Sequence, residues 1–256
     1  MIGFLSDFGR ENGYVGSMKA VAGSICEDRL IDISHKTKKH DVRRGAFILY
    51  NTYRFFPFKS VFVCVVDPGV GTERRGIAIE TEEYVFVGPD NGLMFPAAND
   101  CGDYNVFELS NKEYMLEGVS ETFDGRDVFA PIGAHIADGV EIEDLGPQIE
   151  EIKELNFGDW KFENGSLRGE IIFIDSFGNL VTNIPYNKVK NRLDFGDKIS
   201  YKSEEIPFYR SYGCVDENNL VLTVGGHGNI EISANKGDAA KITGLKERDG
   251  FMLKIN

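Results

Sequence analysis

Apolar and polar positions along this chain follow two regimes. Up to about residue 137, continuous apolar runs alternate with stretches of helical spacing, whereas beyond residue 165 short apolar runs recur between turn residues. Residues 61–66 (Val-Phe-Val-Cys-Val-Val) are six consecutive apolar residues. This is the pattern of a strand covered on both faces, as in a parallel α/β sheet. The run stops at Asp67-Pro68-Gly69-Val70-Gly71-Thr72, which puts Asp67 at the carboxyl end of a strand, where open α/β sheets bind ligands. Gly69 and Gly71 permit close backbone approach or positive φ, and Arg74 can fold back over such a turn to meet the acid.

In order, the pattern predicts strand 2–5, helix 14–25, strand 30–33, loop 35–41, helix 42–55 ended by Pro57, and strand 61–66. Gly16, Ala20 and Gly23 form a small-residue side of the first helix suited to packing on a sheet. A hairpin over 76–80 and 84–87, a Gly-Pro-Asp-Asn-Gly turn at 88–92 and a strand at 104–109 follow. Helix 128–137 is expected next, with Asp127 as its amino-terminal cap and Pro131 in its first turns. Further runs at 167–174, 180–184, 198–201, 220–224, 230–233 and 251–255 predict a small antiparallel barrel or sandwich. The fold class is thus α/β: a doubly wound, mainly parallel sheet domain (1–150), a linker (151–164) and a smaller all-β domain (165–256).

Composition narrows the function. A net charge of −13 over 256 residues argues against nucleic acid, and surplus surface carboxylates account for the acidity. Cys26, Cys64, Cys101 and Cys214 are dispersed without a C-x-x-C pair, so neither zinc nor a disulfide framework is expected. No apolar run approaches the ~18 residues of a membrane helix, and the amino terminus lacks signal-peptide character. A cytoplasmic protein without a membrane partner is the expectation.

Four polar segments sit at the ends of predicted strands or before a helix: Ser6-Asp7-Phe8-Gly9, 67–74, Thr122-Phe123-Asp124-Gly125-Arg126-Asp127, and Asp175-Ser176-Phe177-Gly178-Asn179 followed by Thr182-Asn183. Each alone reads as a cap or a β-turn. Together they describe a cleft.

These segments, with Tyr14-Val15-Gly16-Ser17-Met18-Lys19, Asp32-Ile33-Ser34-His35, Asp41-Val42-Arg43-Arg44-Gly45-Ala46 and the 88–92 turn, resemble the S-adenosylmethionine hydroxide adenosyltransferases. These are hydrolytic relatives of the bacterial fluorinases and chlorinases. The resemblance spans nearly the whole chain. It implies an α/β domain followed by a β-barrel, a homotrimer with small-molecule substrate held between subunits, and hydrolysis of S-adenosylmethionine to adenosine and methionine without metal or cofactor. It further implies that Asp7 holds the ribose hydroxyls and that Asp67 and Arg74 belong to an Asp–Arg–His water-activating set. Asp175 and Asn179 would hold the methionine amine and the adenosine moiety, and His40 would occupy a pocket wall. Tyr14 and Phe123 would also line the substrate site, His227 would reach the methionine carboxylate, and Asn235, Lys236 and Gly237 would offer backbone groups to adenine.

Two positions depart from the family pattern. Asp124 stands where His is usual, and Asn12 stands where Asp is common. An ordinary carboxylate is a weaker base than imidazole near neutral pH, so the departure points to slowed hydrolysis, a different acid–base pair, or retained binding without turnover. A halide transferase is the remaining alternative, disfavoured because Asp67 would repel a halide.

Overall fold

A computed structural model describes residues 1–118, 120–202 and 204–255. The chain divides into two units, Met1–Asn156 and Phe157–Asn256. In the first, strands β1 (Ile2–Ser6), β2 (Leu30–Ser34), β3 (Ser60–Val65), β4 (Gly76–Thr81), β5 (Tyr84–Pro89), β6 (Tyr104–Glu108) and β7 (Gln148–Ile149) form one sheet in the order β2-β1-β3-β5-β4-β6-β7. The pairings β1–β2, β1–β3 and β3–β5 are parallel. The expected hairpin β4–β5 then reverses direction and carries β6 and β7 antiparallel beside it.

Helices cover both faces, which is why the central strands β1 and β3 are buried throughout. Helices α1 (Tyr14–Ile25) and α4 (Ala130–Ala137) bury Met18, Ala22, Ile132 and Ala134 against Ile2, Phe4, Val61, Val63 and Val65. On the other face Phe62 stacks on Phe86 at 5.1 Å and meets Phe56. Tyr53, directly after helix α2 (Val42–Thr52), packs on Phe86. The small residues Gly16, Ala20 and Gly23 turn away from the sheet and are exposed, contrary to expectation. Met18 sets the buried side because it removes more apolar surface from water than a glycine can, and Ala22, four residues on, shares its face. Helix α3 (Phe95–Asp100) has no counterpart in the sequence pattern, since its six residues are too few to show a helical period. Residues 151–155 are held on this unit: Arg75 donates to Glu151 O at 2.7 Å, and buried Asp90 accepts from Lys153 N at 2.8 Å.

The second unit is a barrel-like antiparallel sheet of β8 (Lys161–Glu163), β9 (Ser166–Ile174), β10 (Leu180–Pro185), β11 (Lys198–Tyr201), β12 (Glu204–Pro207), β13 (Leu220–Val224), β14 (Asn229–Ala234) and β15 (Gly250–Ile255). Its order is β12-β11-β15-β9-β10-β14-β13, with β8 on β9. A bridge between Phe208 and Leu222, with Tyr209 N donating to Leu222 O at 2.9 Å, brings the two ends together. This nearly closed form is the barrel of the two architectures the pattern allowed. Strands β8 and β12 escape sequence reading because edge positions need no apolar run (Lys161-Phe162-Glu163 and Glu204-Glu205-Ile206-Pro207).

Candidate active site

The turn after β3 bends because Asp67 Oδ1 accepts from Gly69 N at 3.1 Å and Thr72 Oγ1 donates to Gly69 O at 2.6 Å. Gly71 takes φ +74°, and a Cβ there would lie 2.8 Å from Glu121 O, so the turn packs directly under the loop that leads to Asp124. The chain returns Arg74 onto Asp67 Oδ2, with Nε at 2.8 Å and Nη2 at 2.5 Å. The same Nη2 also donates to Asp124 Oδ2. The guanidinium packs on the Phe129 ring at 5.2 Å. The Arg74 side chain is 10% exposed, that of Asp67 5% and that of Asp124 20%. Burial works against the Arg74 charge, but hydrogen bonds and charge from Asp67 and then Asp124 outweigh it and raise the pKa above the usual arginine value. One cation is thus shared by two carboxylates, one of them fifty positions away in the sequence.

Asp124 reaches this place through an irregular helix start. Residues Gly125–Phe129 form a single π-turn, and α4 begins only at Ala130; such turns recur at functional sites. Asp127 is therefore not the cap expected of it. It is buried inside the turn, accepts from Ser120 N at 2.9 Å and pairs with Arg126 at 2.5 Å. This contact shapes the loop that delivers Phe123 and Asp124.

Asp7 lies just beyond β1, and its Oδ2 accepts from His40 N at 2.8 Å. His40 is exposed and holds φ +64°, uncommon for a non-glycine residue; it meets Asp7 through its backbone. Phe8, Tyr14 and Phe123 form an edge-to-face cluster with centroids 5.1–5.8 Å apart. This cluster links the Asp7 turn to the Asp124 loop. Asn12 is exposed in the loop before α1.

In the barrel, a cleft of about 790 Å³ is lined by Asp175, Asn179, Asn235 and Lys236, and also by Phe177 and Tyr212, which sequence reasoning did not single out. Asp175 Oδ1 accepts from Phe177 N and Asn179 N, and Oδ2 accepts from Asn179 Nδ2, all at 2.9 Å. Gly178 (φ +87°) closes that turn where a Cβ would strike Asp238. Phe177 is 76% exposed, and its signal was an aromatic at the tip of a turn whose polar residues all bond inward. Asn235 Nδ2 donates to Val215 O at 2.7 Å and Lys236 Nζ pairs with Glu217. The amides of Asn235 and Gly237 donate to Asn219 O and Ala234 O.

His227 does not line this cleft, and its side chain is mostly buried. Its Nε2 is 3.1 Å from Glu231 Oε2, and its Nδ1 accepts from Asn229 N. Glu231 also accepts from Ser233 Oγ at 2.6 Å and from Tyr212 Oη at 3.0 Å. Glu231 lies between Ile230 and Ile232 on β14 and is buried, 4% exposed. Burial and Glu231 push the Tyr212 phenol up to about 12, so it stays a donor.

Burial alone would raise Glu231, but its partners, led by His227, hold it below the ordinary 4.5. Its folded pKa therefore lies below its unfolded one. The stabilisation is complete above about 4.5 and is lost as pH falls through the folded value. Glu231→Gln should cost about 1.5–3 kcal/mol at pH 7. Denaturant midpoints measured at pH 7 and at pH 4 should show that deficit shrinking on acidification, and an equal deficit at both would contradict the assignment.

Among the described residues no group of His, Cys, Asp and Glu is arranged to hold a metal ion, and no helix is long and apolar enough to cross a membrane.

Comparison with known proteins bears on the whole chain. A family model described as the SAM hydroxide adenosyltransferase N-terminal domain matches residues 2–146, and the corresponding C-terminal domain matches residues 169–251. An (R)-S-adenosyl-L-methionine hydrolase of Thermus thermophilus is 35% identical, covering 95% of each chain. Another, from Salinispora tropica, is 34% identical over 97% of this chain and 95% of that one. The solved structure of an uncharacterized conserved protein from Thermotoga maritima superposes with a TM-score of 0.93 at 35% identity, covering 99% of this chain and 100% of that one. With both units matched and relatives similar over nearly their full length, the chain belongs to the SAM hydroxide adenosyltransferase family.

Proposed function

We propose that this protein hydrolyses S-adenosyl-L-methionine to adenosine and L-methionine, with Asp67, Arg74 and Asp124 as the water-activating group. The observation that carries this reading is the single guanidinium bridging two carboxylates beyond the end of a parallel strand. Such a group can hold and deprotonate one water. The water oxygen attacks the ribose 5′ carbon, and the carbon–sulfur bond breaks with its electron pair remaining on sulfur. The sulfonium becomes the neutral thioether of methionine, and the water proton passes to a carboxylate. The leaving group needs no proton, so the protein's task is alignment, proton removal and exclusion of bulk solvent.

Asp7 binds the ribose, and the Phe8–Tyr14–Phe123 cluster with His40 shapes the surrounding wall. Asp175, Asn179 and the Asn235–Lys236 turn act from the barrel. In this reading the chain works as a homotrimer, with the barrel cleft of one subunit completing the α/β site of its neighbour. The carboxylates at 67 and 124 disfavour a halide nucleophile, because both would repel it.

Incubation of pure protein with S-adenosylmethionine, with and without chloride, tests the reading. Adenosine in both samples supports hydrolysis. A chlorinated nucleoside formed only with chloride would replace it by halide transfer. Intact substrate together with a raised melting temperature would leave a non-catalytic binder, consistent with a carboxylate at position 124.

A further inference from the structure

We propose that His35 is a positioning residue for this reaction, setting through Ser6 the turn that presents Asp7 to the ribose; the inference rests on the hydrolase reading above. The Ser6 hydroxyl lies 2.8 Å from His35 Nδ1, and His35 Nε2 lies 3.1 Å from Asp32 Oδ1. Ser6 and the His35 side chain are fully buried. That inaccessibility excludes a nucleophilic serine. The ring is also reversed relative to a serine-hydrolase triad, where Nε2 faces the serine.

The contacts read instead as a directional chain. Asp32 is fixed by Lys19 Nζ at 3.0 Å, with Arg10 at 3.7 Å; its Oδ1 faces Nε2 at ion-pair distance without hydrogen-bond alignment, and its negative charge favours the ring proton on that nitrogen. Nδ1 is then an acceptor for the Ser6 hydroxyl, and Ser6 Oγ in turn accepts from Phe8 N at 3.4 Å. His35 O accepts from Gly9 N at 2.8 Å. One residue therefore grips both ends of the Ser6-Asp7-Phe8-Gly9 turn, by its ring and by its carbonyl. Burial pushes the imidazole below its ordinary range against the pull of Asp32, so the neutral ring this chain requires is the one present at pH 7. The turn in turn carries Asp7 onto His40 N and Phe8 onto Phe123, the residue before Asp124.

The test compares the intact protein with His35→Leu, His35→Asn and Ser6→Ala. Adenosine affinity is measured by calorimetry, and KM and kcat are measured for S-adenosylmethionine. His35→Leu and Ser6→Ala should weaken adenosine and raise KM by about tenfold while kcat stays within about threefold. His35→Asn, whose carbonyl can still accept from Ser6, should recover most of that loss. A folded His35→Leu with unchanged adenosine affinity and KM would overturn the proposal. Should that variant not fold, unchanged values in Ser6→Ala would do so. Wild-type protein that binds adenosine yet leaves S-adenosylmethionine intact would end the hydrolase reading, and with it a positioning role in that reaction. Unchanged kinetics in the variants of an active enzyme would end this inference alone.

Discussion

Asp67→Asn should lower adenosine release from S-adenosylmethionine by about 10²–10⁴-fold while leaving substrate affinity within about threefold. The amide has nearly the same shape, and its carbonyl oxygen can still accept from Gly69 N or from Arg74. What disappears is the negative charge and the site for the water proton. Arg74 keeps Asp124 as a partner, so no buried cation is left unpaired and the melting temperature should change little. Chromatographic assay of adenosine and methionine checks the rate, and calorimetry checks the affinity. Turnover at the wild-type rate would remove Asp67 from the mechanism.

Arg74→Met is expected to do more damage, and to stability as well as rate. It leaves Asp67 and Asp124 directed at one place with no cation between them, and their side chains are only 5% and 20% exposed. Breaking a buried pair in this way costs about 3–5 kcal/mol because the charge that remains is uncompensated. The double variant Asp67→Asn with Arg74→Met should then be more stable than Arg74→Met alone, since one of the two orphaned charges has gone. Denaturant midpoints of the four proteins give the coupling. A double variant less stable than the single one would show that Arg74 acts by packing on Phe129 and not as a shared counter-ion.

Local chemistry made much of this legible. Six apolar residues followed by Asp-Pro-Gly-Val-Gly could only be a covered strand running into a tight turn, and the short span from Asp67 to Arg74 lets the chain fold back on itself. The Asp175 turn was equally readable, because its partners all lie within four residues. Periodicity misled where it measured polarity without direction. Gly16, Ala20 and Gly23 shared a side of the helix, but nothing local said that Met18 and Ala22 would take the sheet. Glu231 alternates with the core residues Ile230 and Ile232 as an exposed residue would, yet Tyr212, His227 and Ser233 bury it and supply three donors.

The succession of strands and helices, the all-β carboxyl half and the Asp67–Arg74 pair thus follow from residues that are neighbours in the chain, where steric and hydrogen-bonding preferences act without help. The meeting of Asp124 with Arg74 and the burial of His35 on Ser6 come from packing of segments tens of residues apart. Each depends on a donor or a cavity wall that another element brings, and a linear pattern carries no record of which element that will be.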